Sequence, residues 1–546
     1  MLLLGTFLTL LTSINALPVP PAAHFPVPPA APFTNNFGAQ LEWVDCTVNV
    51  PAPVQQQFNV TTWNATGLPT LPSTLACGHL TVPLDYSAPI SDSNNITLGF
   101  AMHRPGNASQ LLNFNPGGPG LEAASFAWGI ALNSSSSAMF DGVLDQDFLA
   151  VDVRGVGQSN PLNCSLVAAS QIPIALPTDA ASFAAYQASV AAFAQSCVTG
   201  SSPPGIVQHV GTQEVAQDWN TLMNALNYTK MNFLGVSYGT FQAAEYASRF
   251  PESVGNFVLD AVLSHATVDQ IAVADQITAV NRLVLRADDF CQSDPSCPFK
   301  DQGNGSVPEA FTKVIQMAEN GSFSDLNVTA TLAKFALYYT VNSSPDFPKF
   351  NLALSQALNG NATLLVPDPV IMLEIVNVLP IICADEAGDD NTLGGLVKLN
   401  QSASAVDTLG FQYSQFWQLR LMCTAWPFSA RPKQTLHVQS PMLFVTADYD
   451  LNTPTELATL QWQDQSPQST LVVRHGDDHG TTMLAGQPAS QDAIAFLSSG
   501  TIPQPTEQQL VSVYAPGSQR PPVTPPYVAP IGKDAGDLST VETISF

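Results

Sequence analysis

The sequence predicts an α/β protein, a doubly wound and mostly parallel sheet with a large helical cap inserted into it. Three observations predict it. Short apolar runs of strand length alternate with longer amphipathic stretches between residues 96 and 260, which is the pattern of successive strand-helix units. The strand series stops at Asp260 and resumes near Pro441, with mainly helical patterning between. One strand runs straight into Gly235-Val236-Ser237-Tyr238-Gly239 and then an alanine- and aromatic-rich helical stretch, so a lone serine sits on a sharp strand-to-helix turn.

Taken in order, Ile96–His103, Gln110–Phe114 and Phe148–Asp152 read as strands. Thr212 to Asn227 reads as a helix, because Val215, Trp219, Leu222 and Leu226 fall on one face. Met231–Leu234 is the strand before the serine turn, and Asn256–Asp260 is the next one. Residues 266–430 are expected to form the helical cap over the carboxyl edge of the sheet, where open α/β sheets place their sites. Pro441–Val445 and Thr470–Val473 are two further strands. The expected division is a signal peptide at 1–16, a Pro-rich linker at 17–39, the first part of the core at 40–265, the cap at 266–430, the second part of the core at 431–503, and a loosely packed Pro-rich tail at 504–546.

Composition narrows the function classes. The 546 residues carry 17 basic and 43 acidic side chains, a formal charge of −26. Phosphate neutralisation needs basic patches, so nucleic-acid partners are excluded, as is adhesion to an anionic membrane. The apolar segment Met1–Ala16 is too short to span a bilayer and ends in a small residue, as a secretory leader does. The chain later has no continuous apolar stretch of spanning length, so no membrane anchor is expected. Eight cysteines at spacings that fit no zinc motif point to disulfides, with sequential pairing (46–77, 164–197, 291–297, 383–423) the expected connectivity. Asn-X-Ser/Thr sequons, including Asn59, Asn64, Asn95, Asn107, Asn133, Asn304, Asn320, Asn327, Asn342, Asn361 and Asn400, suggest N-glycosylation of a secreted, extracellular monomer.

The chemistry is expected at Ser237. A serine hydroxyl is a weak nucleophile until a base takes its proton and an acid orients that base. The strand at 441–445 is followed by Asp448 and Asp450, and the strand at 470–473 by His475 and His479, the order Ser, acid, base of nucleophile-elbow enzymes. His479 stands past a glycine turn, where an imidazole can reach the serine, whereas His475 continues the strand. Asp448 and Asp450 compete for the acid, and Asp260 reads as a structural strand-end residue. The developing oxyanion needs preorganised donors. The loop Asn115-Pro116-Gly117-Gly118-Pro119-Gly120 can supply the N–H of Gly118, and the elbow the N–H of Tyr238. No metal or organic cofactor is implied.

These residues carry a resemblance. Asn115–Gly120, Asp152-Val153-Arg154-Gly155-Val156-Gly157-Gln158-Ser159 and Gly235–Thr240, with Cys291/Cys297, Cys383/Asp385, Cys423/Trp426-Pro427, Asp450–Pro454 and Gly500–Pro503, are similar to the proline iminopeptidase and tripeptidyl aminopeptidase family of secreted α/β-hydrolase serine exopeptidases. The resemblance covers most of residues 75–503. It selects Asp450 as the acid and implies a Ser237–Asp450–His479 triad, an acyl-enzyme, and peptide substrates with free N-termini. An aminopeptidase must also bind an α-ammonium group, for which Asp385 and Glu386 are the candidate carboxylates. The acid loop departs from the family's usual Asp-Pro-Val-Thr-Pro, reading Asp450-Leu451-Asn452-Thr453-Pro454. Two rival readings remain, a secreted carboxylesterase or lipase with the same triad and a non-catalytic binding relative.

Overall fold

The computed structural model describes residues 37–65, 67–368 and 375–527. The expected signal peptide, nearly all of the linker and the tail beyond Tyr527 lie outside the described residues. Eleven strands among the described residues form one sheet in the order β1-β2-β3-β5-β4-β6-β7-β8-β9-β11-β10. Its centre is the parallel block β5 (Asp147–Val151), β4 (Leu111–Asn115), β6 (Met231–Val236), β7 (Val254–Asp260), β8 (Leu443–Ala447) and β9 (Thr470–Arg474). Antiparallel strands flank it: β1 (Gln40–Val44), β2 (Leu75–Val82) and β3 (Ile96–His103) on one side, β11 (Val511–Tyr514) and β10 (Thr506–Glu507) on the other.

Helices cover both faces, so the central strands are apolar on both sides, as parallel strands require. Phe233, Phe257, Leu259, Leu471 and Val473 pack into the core on one face. Their neighbours Leu234, Val236, Val258 and Val472 pack into the core on the other. The period-2 alternation of a strand thus feeds two apolar layers.

Between β7 and β8 the chain is helical. Asp269–Ser293, Ser306–Glu319, Ala330–Thr340 and Phe347–Leu358 enclose a core of their own around Phe311, Phe350 and Tyr338. That core takes in Tyr449 and Leu451, on either side of Asp450. Ile375–Asp385, Leu393–Val406 and Gln415–Cys423 instead pack Leu379, Leu396 and Leu421 into the core beneath the sheet. Disulfides join Cys46–Cys77, Cys164–Cys197, Cys291–Cys297 and Cys383–Cys423. No helix among the described residues is long and apolar enough to cross a membrane.

Two expectations are corrected. The segment 504–527 is not loosely packed. Β11 pairs with β9, and beyond it Arg520 binds Asp448, Thr455 and Thr459, while Tyr527 donates to Asp288 at 2.6 Å. The prolines keep this stretch extended without preventing it from lying on the fold as a strap. Asn342 is 4% exposed, so in this fold its side chain has no room for a glycan, whereas Asn59, Asn64, Asn107 and Asn133 are exposed.

Candidate active site

Ser237 follows β6 directly at φ 56° and ψ −123°, a strained conformation for a residue with a side chain, costing about 1–3 kcal/mol. The surroundings impose it. The Ser237 N–H donates to the Asp260 carbonyl oxygen at 2.9 Å and the Ser237 carbonyl accepts from Thr240 N, while the elbow helix Tyr238–Arg249 starts one residue later. Tyr238 is therefore the first residue of that helix, where an N–H has no intrahelical acceptor and the helix dipole is positive.

The Gly-rich loop after β4 lies against this turn. Asn115 connects the two, accepting from Gly117 N at 2.8 Å and donating to Gln242 of the elbow helix at 2.8 Å. Gly117 has φ +89°, and a Cβ there would collide with the Val236 carbonyl and the Tyr238 amide. Only a glycine allows this approach, which seats the Gly117 backbone against the turn at Ser237 and Tyr238. Asp152 fixes the far side of the loop, accepting from the amides of Ala123, Ala124 and Gln158. Burial pushes its carboxyl up to about 6. Arg154 is wholly buried and makes a bidentate pair with Asp218 at 2.7 Å for both bonds. Both residues thus act as struts under the loop.

Asp450 and His479 come together. His479 Nδ1 lies 2.8 and 3.0 Å from the two Asp450 oxygens. A carboxylate can only accept, so Nδ1 carries the proton and Nε2 has its lone pair free to act as base. Asp450 is 1% exposed and is held by Thr453, whose N–H donates at 3.0 Å and whose hydroxyl donates at 2.9 Å. The base loop is fixed to the elbow through Asp260. Its backbone carbonyl takes the Ser237 N–H, and its carboxylate accepts from the N–H and hydroxyl of Thr482. Burial holds the Asp260 carboxyl above its usual range, in keeping with a strand-end anchor. The cap contributes as well, with the Ser343 carbonyl accepting the His479 N–H at 2.6 Å.

The competing pair, Asp448 and His475, also meet, but elsewhere. His475 Nδ1 is 2.6 Å from Asp448, and its Nε2 is 2.8 Å from the Ser512 hydroxyl on β11. Both ring nitrogens are occupied, which leaves no base.

Asp385 and Glu386 lie beside the elbow with protein donors already on them. Asp385 accepts from the N–H and hydroxyl of Thr212 and from the Tyr238 hydroxyl, the last at 2.6 Å. Burial pushes its carboxyl up to about 7 against these donors. Glu386 accepts from Ala266 N at 2.9 Å and faces Arg420 at 3.6 Å. Sequence reasoning missed Thr453, Thr212 and Ser343. A threonine just before Pro454 and the helix Thr455–Leu460 was a readable signal for the first, whereas Ser343 reaches the site from the remote cap without any local motif.

A strained serine at the strand-to-helix turn, a glycine loop against it, and an Asp-His pair on the loops after β8 and β9 define a serine hydrolase of the α/β-hydrolase class. Residues 111–284 match the family model described as alpha/beta hydrolase fold, and residues 410–509 the model described as TAP-like protein. A tripeptidyl aminopeptidase of Streptomyces coelicolor is 25% identical over 85% of this chain and 84% of its own length. The putative hydrolase YuaR of Escherichia coli is 24% identical over 82% of this chain and 88% of its own. The serine protease Hip1 of Mycobacterium tuberculosis is 31% identical over 41% of this chain and 39% of its own. The fold is that of the α/β-hydrolases, and along most of its length the chain is similar to the tripeptidyl aminopeptidases.

Proposed function

We propose that the protein is a secreted serine exopeptidase that removes residues or tripeptides from peptide N-termini. The observation that carries this is the Asp450–His479 pair, whose geometry fixes the imidazole tautomer that a base requires, on the same sheet end as Ser237. His479 Nε2 takes the proton of the Ser237 hydroxyl as the oxygen attacks the scissile carbonyl. The N–H groups of Gly118 and Tyr238 receive the oxyanion. The imidazolium returns its proton to the leaving amine, and water, activated by the same histidine, then hydrolyses the acyl-enzyme. Full-length relatives named as tripeptidyl aminopeptidases support peptides as the substrate class.

One observation favours a second reading. Asp385 and Glu386 are engaged by Thr212, Tyr238, Ala266 and Arg420, and a carboxylesterase needs no carboxylate free for an amine. The deciding assay compares tripeptide anilides with free and with acetylated N-termini against a short-chain ester. Turnover restricted to the free-amine peptides supports the exopeptidase, and turnover of the ester alone sinks it. Either activity must vanish in Ser237→Ala. Secretion and glycosylation are tested by sequencing the N-terminus of the mature protein, expected near Leu17, and by a mass shift on deglycosylation.

A further inference from the structure

The helix Ile375–Asp385 touches both the glycine loop and the first residue of the elbow helix. Near its start, Asn377 packs on the glycine loop so closely that a Cβ on Gly120 would stand 2.7 Å from the Asn377 Cβ. At its end, Asp385 accepts the Tyr238 hydroxyl proton at 2.6 Å. The two contacts stand eight positions apart, about 12 Å along a helix. The helix is itself anchored, by the Cys383–Cys423 disulfide and by the two bonds from Thr212 to Asp385. The Tyr238 ring is held on its other side too, stacked on Phe241, which stacks on His265 at 3.5 Å between centroids.

We propose that this cap helix is a splint for the oxyanion hole, and that Asp385 is a positioning residue that holds Tyr238, and so its backbone amide, in register with Gly118. Asp385 acts through Tyr238 and does not itself meet the substrate. The proposal rests on the assignment of the oxyanion donors above, not on the nature of the substrate. It makes the cap part of the catalytic apparatus, since a shift of the helix moves a donor that works only at hydrogen-bond distance.

The test is steady-state kinetics of Asp385→Asn, Tyr238→Phe and the double variant, on a free-amine tripeptide anilide and on a short-chain ester. For both singles, kcat is expected to fall about tenfold or more on whichever substrates the parent enzyme turns over, with KM within about twofold. The double variant should be no slower than the slower single, because both break one link. A rise in KM for the free-amine peptide alone, with ester turnover intact, would overturn the proposal and make Asp385 an amine ligand. Unchanged kcat in Tyr238→Phe, which deletes one hydroxyl and carries the test even if Asp385→Asn fails to fold, would also overturn it. If the parent enzyme cleaves the ester and no peptide, the exopeptidase reading fails while the splint is still measured on the ester.

Discussion

His475 and His479 stand four positions apart, and the bonds at their second nitrogens distinguish them. His475 is held at both ends by Asp448 and Ser512, whereas His479 uses Nδ1 on Asp450. His479→Gln is expected to lower kcat by at least about a thousandfold with the melting temperature little changed. His475→Gln should keep kcat within about threefold and lower the melting temperature instead, because it leaves buried Asp448 and Ser512 short of a partner. Activity and thermal-melt measurements on the two variants check both outcomes, and a large kcat loss in His475→Gln would exchange their roles. The preference for His479 over His475 was legible from the glycine turn alone. The bond that occupies the second nitrogen of His475 was not, because Ser512 arrives from a strand that the sequence hides among prolines.

At the scale of elements, seven strands of the sheet were legible, from Ile96–His103 to Thr470–Arg474, each within about two residues, because apolar runs between turn signals are strong when both faces are buried. The marginal strands β1, β2, β10 and β11 were not. They pair antiparallel at the sheet's edges, where polar residues such as Ser512 find partners across the fold. The strap after β11 was invisible for the same reason. Arg520 is a cation whose value lies in Asp448, 72 positions away and 3% exposed. Arg520→Met should cost about 2 kcal/mol of stability, since it leaves one oxygen of the buried Asp448 carboxylate without its partner while His475 keeps the other. Urea denaturation measures this, and a loss below about 1 kcal/mol would show that the strap is dispensable. The cap grips the acid loop in a related way. Tyr449 and Leu451 enter its core while Asp450 turns to the histidine. Leu451→Ala is thus expected to cost about 2–5 kcal/mol and to lower kcat as well, a combination that a remote core substitution would not show.

The whole molecule has an unusual pH balance. Burial raises the carboxyls of Asp152 to about 6 and of Asp385 and Asp275 to about 7, above an ordinary 3.8. Glu122, Asp218 and Asp260 shift in the same direction from the same first cause. A carboxyl with a raised folded value binds its proton more tightly in the folded state, so it favours folding at acid pH and loses that contribution as pH rises from about 4 to about 7. The formal charge of −26 adds self-repulsion over the same range. His265 and His103 oppose this. Burial lowers their values below 6.5, so they favour folding at neutral pH and lose that contribution in acid. With the carboxyls more numerous, the melting temperature should be several degrees higher near pH 5 than near pH 8. A scan across that range in one buffer series, with a maximum at or above pH 7, would contradict it.

The disulfides carry a consequence for how the chain is made. Eight cysteines allow 105 pairings, and the one formed joins each cysteine to the next along the chain, over separations of 31, 33, 6 and 40 residues. In a chain that enters an oxidising compartment from its N-terminus, each cysteine therefore meets its native partner before the next pair arrives. Vectorial emergence of the chain thus favours the native set over its rivals.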